Sequence, residues 1–246
     1  MISIVLVEPQ GALNIGAVCR VMMNFGLHDL RLVNPCRGYL GAEARQMAVR
    51  AKQILTRAKV FKDLKTAISD SHIALGTTRR FGRHRDEFLD PEQAAHRIAM
   101  LPESMCAALV FGREDTGLFT RELDLCQLFV TIPTSEQMPS MNLSHAVAVC
   151  LYELKKAAGD GGYPDGSDKI PASVADLQNL FDHMRKTLHE IGFLDPQNPD
   201  HTLRTFRRMF GRIGLCNRDV RILHGLMGRI DALEEECRQL RQYRNG

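Results

Sequence analysis

An α/β fold, with a mostly parallel sheet, helices on both faces and a small all-α extension behind it, is predicted by two features of the chain. Short apolar runs alternate with helical segments through the first two thirds, and only helices follow. Between the two parts, Gly159 to Ile170 has no apolar period and is rich in Gly and Asp, which marks a linker. The expected division is a first domain over 1–158, a linker over 159–171 and a helical extension over 172–246.

Taken in order, strands are expected at about 2–7, 29–33, 72–76, 106–111 and 128–132, where short apolar runs stand between turn residues. Helices are expected at about 15–25, 41–55, 63–70, 90–100, 120–126 and 143–157. Asn24-Phe25-Gly26-Leu27 ends the first helix, and Leu32-Val33-Asn34-Pro35 ends the second strand. In the extension, Leu177, Leu180, Phe181, Met184, Leu188 and Ile191 repeat at helical spacing. Leu223, Leu226, Ile230, Leu233, Cys237 and Leu240 alternate steps of three and four, a seam that can pack on another helix but is short for an independent coiled coil.

Composition removes several functional classes. With 246 residues, 44% of them hydrophobic, the chain can bury a full core. Its seven cysteines are odd in number and include no CxxC pair, which argues against a disulfide framework and a zinc knuckle. Ile2 to Val7 lacks a basic n-region and reads as a buried strand, and no run approaches a membrane span of about 20 residues. A cytoplasmic protein without membrane association is expected. The histidines show no HExxH or paired-ligand spacing, so no metal is implied. A net charge of +3 is too mild to establish nucleic-acid binding, which depends on where the charge collects.

Three blocks carry the chemistry. In the first, Asn14 precedes a helical run that its side chain could cap, Gly16 permits close backbone approach, and Arg20 lies less than two turns along. An arginine held on a rigid helix can bind a phosphate or stabilise an oxyanion. In the second, Gly112-Arg113-Glu114-Asp115-Thr116-Gly117 follows the strand Ala107 to Phe111 and should present main-chain polar groups at the sheet's C-terminal edge. In the third, Pro133, Pro139 and Ser140 force a loop between the strand Phe129 to Ile132 and a helix opening near Asn142. The GxxxxG spacing is no Walker A, because Lys-Ser or Lys-Thr does not follow, and Gly11 to Gly16 is not the GxGxxG of a dinucleotide fold.

The order and spacing of these blocks resemble SPOUT-class RNA 2′-O-ribose methyltransferases over residues 1 to about 158. Val7-Glu8-Pro9, Asn24 to Leu27 and Leu32 to Pro35 further resemble the TrmJ branch of the SpoU/TrmH group. The resemblance implies a trefoil knot at the C-terminal end of the first domain, formed by segments 112–117 and 132–143. It implies that Thr77, Thr78, Arg79, Gly112, Ile132, Pro139, Ser140 and Met141 hold S-adenosyl-L-methionine. Arg20 takes the central catalytic position, with Asn14, Glu114, Ser140 and Asn142 around the reacting groups. A guanidinium resists deprotonation, so phosphate binding or alkoxide stabilisation suits Arg20 better than the role of base. Glu114 could fix either Asn14 or Arg20. Also implied are a homodimer with its interface near the active sites and a tRNA substrate methylated on the cytidine or uridine at nucleotide 32 of the anticodon loop, with ribosomal RNA as the alternative. A non-catalytic RNA-binding module of the same fold is the alternative from another class.

Two arginine clusters are candidate RNA contacts. Arg79, Arg80, Arg83 and Arg85 fall directly after the strand that ends near the cofactor, and Arg204, Arg207 and Arg208 line one face of a helix in the extension. With no Trp and four Tyr, recognition by shape and phosphates fits better than stacking of several bases.

Overall fold

The computed structural model describes residues 1–79, 88–160 and 172–245. Arg80, Arg83 and Arg85 lie outside the described residues, as does most of the expected linker. The chain divides into two compact units, Met1–Gly166 and Ser167–Gly246.

The first unit is built on a seven-stranded sheet in the order β3-β2-β1-β6-β4-β7-β5, and every strand pair is parallel. The five strands expected from the sequence are β1 (Ile2–Val7), β2 (Asp29–Val33), β4 (Ile73–Thr77), β6 (Ala107–Phe111) and β7 (Leu128–Val130). Two short strands were not expected: β3 (Lys59–Phe61) and β5 (Phe88–Leu89), which close the two edges. With two or three partly exposed residues each, they carry too little pattern to register as apolar runs.

The central strands are apolar on both faces because both are covered. Ile4, Leu6, Leu30, Leu32, Leu75, Leu109 and Phe111 share one core with α1 (Ala12–Asn24), α2 (Ala42–Ala48), α5 (Pro91–Ala99) and α7 (Leu143–Asp160). On the opposite face, Arg31 donates to the carbonyl of Ala67 in α4 (Leu64–Ala67). A Cβ on Gly76 would lie 2.9 Å from Leu123 in α6 (Thr120–Leu123), so this second layer packs directly on the sheet.

Four of the expected helices differ from expectation. The segment expected as one helix over 41–55 is α2, a 3₁₀ turn (Val49–Ala51) and α3 (Lys52–Thr56), broken at Val49, whose φ is +51°. Ala44, Ala48, Ala51 and Leu55 keep a helical period through the break, so periodicity could not reveal it. Helices α4 and α6 shrink to single turns. Helix α1 starts at Ala12, before Asn14, and its N-cap is Gly11, so Asn14 does not cap it. The structural reason lies in Glu114, described below.

The second unit packs α8 (Val174–Glu190), α9 (Pro199–Ile213) and α10 (Asn217–Asn245) around Leu180, Phe181, Met184, Leu203 and Met227. Ser173 and Asp176 form a reciprocal capping box that starts α8. His183 joins α8 to α10 through His224 at 2.8 Å and Asp231 at 3.0 Å. On α10 the packed face runs through Val220, Leu223, Met227 and Ile230. Of the six seam residues expected, only Leu223 and Ile230 pack: Leu226, Leu233, Cys237 and Leu240 are exposed. Among the described residues, no helix is long and apolar enough to cross a membrane.

Gly16 tests the packing of α1 on α2. A Cβ there would sit 2.3 Å from the Ala44 carbonyl oxygen. Alanine gains about 1 kcal/mol of helix propensity over glycine, but forced overpacking costs about 1–3 kcal/mol. Because the clash is with backbone, the upper end of that cost applies, and Gly16→Ala is expected to lower stability by about 2 kcal/mol in denaturant titration; an unchanged or raised midpoint would contradict the packing.

Candidate active site

The carboxyl ends of β4, β6 and β7 open into one cleft. Parallel sheets place ligands at this edge because strand-to-helix loops leave main-chain groups unpaired there. All eight residues expected to hold the cofactor line it: Thr77, Thr78, Arg79, Gly112, Ile132, Pro139, Ser140 and Met141. Thr77 also locks two of the strands, its hydroxyl donating to the Val110 carbonyl at 3.0 Å. The Thr78 N–H donates to Val130 at 2.9 Å. Gly112 admits no side chain, since a Cβ would lie 2.1 Å from the Gly117 carbonyl carbon. The loop between them closes through the Gly117 N–H on the Arg113 carbonyl at 3.0 Å, and Gly117 takes a φ of +66° that favours glycine.

Beside the cleft, Glu114 reaches across to the start of α1. One carboxylate oxygen accepts the Gln10 N–H at 2.9 Å, and the other accepts the Gly11 N–H at 3.0 Å and the Asn14 side-chain amide at 2.9 Å. The cap that Asn14 was expected to provide thus comes from a loop 100 residues away in sequence. A carboxylate also complements the positive end of the helix dipole. Burial pushes the Glu114 carboxyl up, but the hydrogen bonds from Gln10, Asn14 and Gly11 outweigh it and hold the group below the usual range.

The polar chain continues from Asn14 to the third block. Because Glu114 can only accept, Asn14 turns its NH₂ toward it and offers its oxygen to the Asn142 amide at 3.0 Å. The Asn142 oxygen in turn accepts from the Ser144 N–H and hydroxyl at 2.9 and 2.8 Å, which caps α7. Each amide orientation follows from the one before it. Asn14, Glu114 and Asn142 are thereby brought together, and Ser140 stands on the cleft rim.

Arg20 is placed differently. It is exposed on α1 and does not line the cleft. Arg204, Arg207 and Arg208 lie along α9 and are all partly buried. Arg207 lies 4.4 Å over the Phe181 ring and donates to Gln178 at 2.9 Å, both residues of α8. Arg208 hydrogen-bonds the Arg204 carbonyl and the Thr205 hydroxyl, each at 3.3 Å.

Sequence reasoning missed the residues that support the cleft from below. Arg113 is buried, pairs with Glu122 and Glu8, and carries Phe119 against its guanidinium. No local pattern signals an ion pair assembled from three separate segments. Glu8 and Asn34, at the ends of adjacent strands, both adopt positive φ, +46° and +50°. The Val7-Glu8-Pro9 and Val33-Asn34-Pro35 segments marked these positions without disclosing that geometry.

Comparison with known proteins agrees with this architecture. Residues 1–152 match the SpoU rRNA Methylase family, and residues 175–244 match the C-terminal domain of tRNA methyltransferase TrmJ. Among curated relatives, the tRNA (cytidine/uridine/adenosine-2′-O-)-methyltransferase TrmJ of Pseudomonas aeruginosa is 35% identical over 237 residues, covering 92% of each chain. The tRNA (cytidine-2′-O-)-methyltransferase TrmJ of Methanocaldococcus jannaschii is 43% identical over 157 residues, covering 63% of this chain and 67% of its own. The crystal structure of TrmJ from Z. mobilis superposes with a TM-score of 0.80 at 31% identity, covering 94% of this chain and 99% of that one. Since the methylase match spans more than half of the chain and similarity to TrmJ proteins runs nearly end to end, the chain belongs to the SpoU methylase family and, within it, to the TrmJ type.

Proposed function

We propose that the chain transfers a methyl group from S-adenosylmethionine to a ribose 2′-hydroxyl of tRNA. The observation that carries this reading is the Glu114–Asn14–Asn142 relay standing beside the cleft at the sheet's carboxyl edge. The cleft suits the cofactor chemically. It offers main-chain groups at Gly112 and Ile132 for polar atoms, and Leu118, Met141 and Leu143 for an apolar ring. Thr77, Thr78, Arg79, Gly112, Ile132, Pro139, Ser140 and Met141 would hold it. When bound, S-adenosylmethionine supplies a methyl on a positively charged sulfur that leaves as a neutral thioether, so no acid is required.

The chain's own residues then have two tasks: alignment, and accommodation of the negative charge that builds on the ribose oxygen as its proton passes to solvent and the oxygen takes the methyl. Glu114 is ionised at neutral pH and acts as an acceptor that holds Asn14, not as a proton donor. Ser140 and Asn142 order the polar rim around the reacting hydroxyl. Arg20 binds the neighbouring phosphate or stabilises the developing alkoxide.

The same proposal includes a homodimer, a trefoil knot in segments 112–117 and 132–143, and a cytoplasmic site of action. Leu13 and Met23 on α1, 47% and 45% exposed, offer beside Arg20 an apolar surface of the kind a second copy covers. RNA contacts come from Arg79 and its neighbours Arg80, Arg83 and Arg85, and from the α9 face of Arg204, Arg207 and Arg208, with the exposed Arg212 and Arg218 nearby. Nucleotide 32 of the anticodon loop is the proposed acceptor.

Methyl-labelled S-adenosylmethionine mixed with unmodified tRNA should give label at nucleotide 32 in an alkali-resistant dinucleotide, because 2′-O-methylation removes the hydroxyl that attacks the phosphate. Label on a base would overturn the reading. Arg20→Ala should abolish transfer while calorimetry finds cofactor affinity unchanged; near wild-type turnover at saturating tRNA would remove Arg20 from its role. For Glu114, a lowered folded-state pKa means stabilisation that is complete above the unfolded value of about 4.3 and lost as pH falls through the folded value. Glu114→Gln should therefore flatten the acid limb of the stability profile as pH falls below the unfolded value; an unaltered profile would show that this carboxylate does not stabilise the fold.

A further inference from the structure

We propose that Arg113 is a positioning residue for the methyl-transfer site, holding the 112–118 loop in the shape that forms the cofactor cleft and aims Glu114 at α1. The inference rests on the methyltransferase reading above. Its basis is the number of separate segments that converge on one guanidinium. Arg113 is 7% exposed. Its Nη1 and Nη2 donate to the two oxygens of Glu122 at 3.0 and 2.9 Å, a two-pronged pairing with α6. Its Nε donates to Glu8 at 2.9 Å, immediately after β1. Its Nη1 also donates to the Gly117 carbonyl at 3.3 Å, and the face of the group lies 4.1 Å from the centre of the Phe119 ring.

These contacts define the loop from inside. The Gly117 N–H bonds the Arg113 carbonyl while the Arg113 side chain bonds the Gly117 carbonyl, so the same two residues are tied twice. Glu114 is the next residue, and its carboxylate turns toward Gln10, Gly11 and Asn14. Fixing one side chain inward therefore fixes where its neighbour points. Glu122 is itself held, accepting the Phe119 N–H at 2.8 Å. Glu8 keeps a φ of +46°, a conformation that costs free energy in a residue with a Cβ and persists where surroundings over-determine it.

Buried ion pairs are often replaceable by apolar groups without loss of stability, which makes geometry the more plausible reason for such a network. The protein contains its own control. Arg31 is equally buried, 3% exposed, and pairs with Asp29 and Asp70, but it does not line the cleft. Lysine cannot reproduce either arginine's fork.

The test compares Arg113→Lys with Arg31→Lys in the full chain, by melting temperature and by calorimetric titration with S-adenosylhomocysteine well below both transitions. Both variants should melt earlier than wild type. Affinity should fall about tenfold or more for Arg113→Lys, the scale expected when supporting contacts of a site are loosened, and stay within twofold for Arg31→Lys. Equal affinities in the two variants would overturn the positioning role and leave Arg113 a stability residue. If Arg113→Lys does not fold, Glu122→Asp, which shortens the partner by one methylene, carries the same expectation and the same overturning result. Failure of the wild type to bind S-adenosylhomocysteine would instead sink the methyltransferase reading itself.

Discussion

The site depends on one carboxylate. Glu114 leaves a loop after β6, crosses to the amino end of α1 and satisfies two main-chain N–H groups and one side-chain amide there. A helix amino end carries unpaired donors and a positive dipole, so an acidic partner is needed from somewhere. Supplying it from another segment makes the capping of α1 and the assembly of the site a single event. Asn14 then has no freedom in its amide, and through Asn142 the same constraint reaches the start of α7.

Sheet topology explains why those loops meet at all. Strand β1 lies beside β6 with Leu6 opposite Phe111, so the loops leaving both strands emerge side by side. Strands β4 and β7 follow on the same side of the sheet, which brings Thr77, Gly112 and Ile132 to one edge. Below the edge, Arg113 ties β1, the loop and α6 together. Glycine at 112 allows main chain to approach main chain where any side chain would collide.

Much of this was legible in the sequence, for identifiable reasons. Strongly apolar strands such as Ile2–Val7 and Ala107–Phe111 announce themselves because burial on both faces leaves no polar positions. The cleft residues were legible because turn residues after a parallel strand point to the ligand edge, and because family resemblance gave them roles. Edge strands β3 and β5 were not, since short half-exposed strands carry little pattern. The capping of α1 was misassigned to Asn14 because capping rules look only at local neighbours, whereas the true acceptor is distant in sequence. The α10 stripe misled for a related reason: Leu226 and Leu233 have the right period but face away from the packed side. Periodicity gives the spacing of a face and not its partner.

The most direct test of the account is a double-mutant cycle between Asn14 and Glu114, reading the rate of methyl transfer to tRNA. If the relay works as a unit, Asn14→Ala and Glu114→Gln each slow transfer strongly, and the double variant is no slower than the worse single one, because the second change removes a contact already lost. If the two effects multiply, the residues act independently, and the claim that one shared polar chain holds the site together is contradicted.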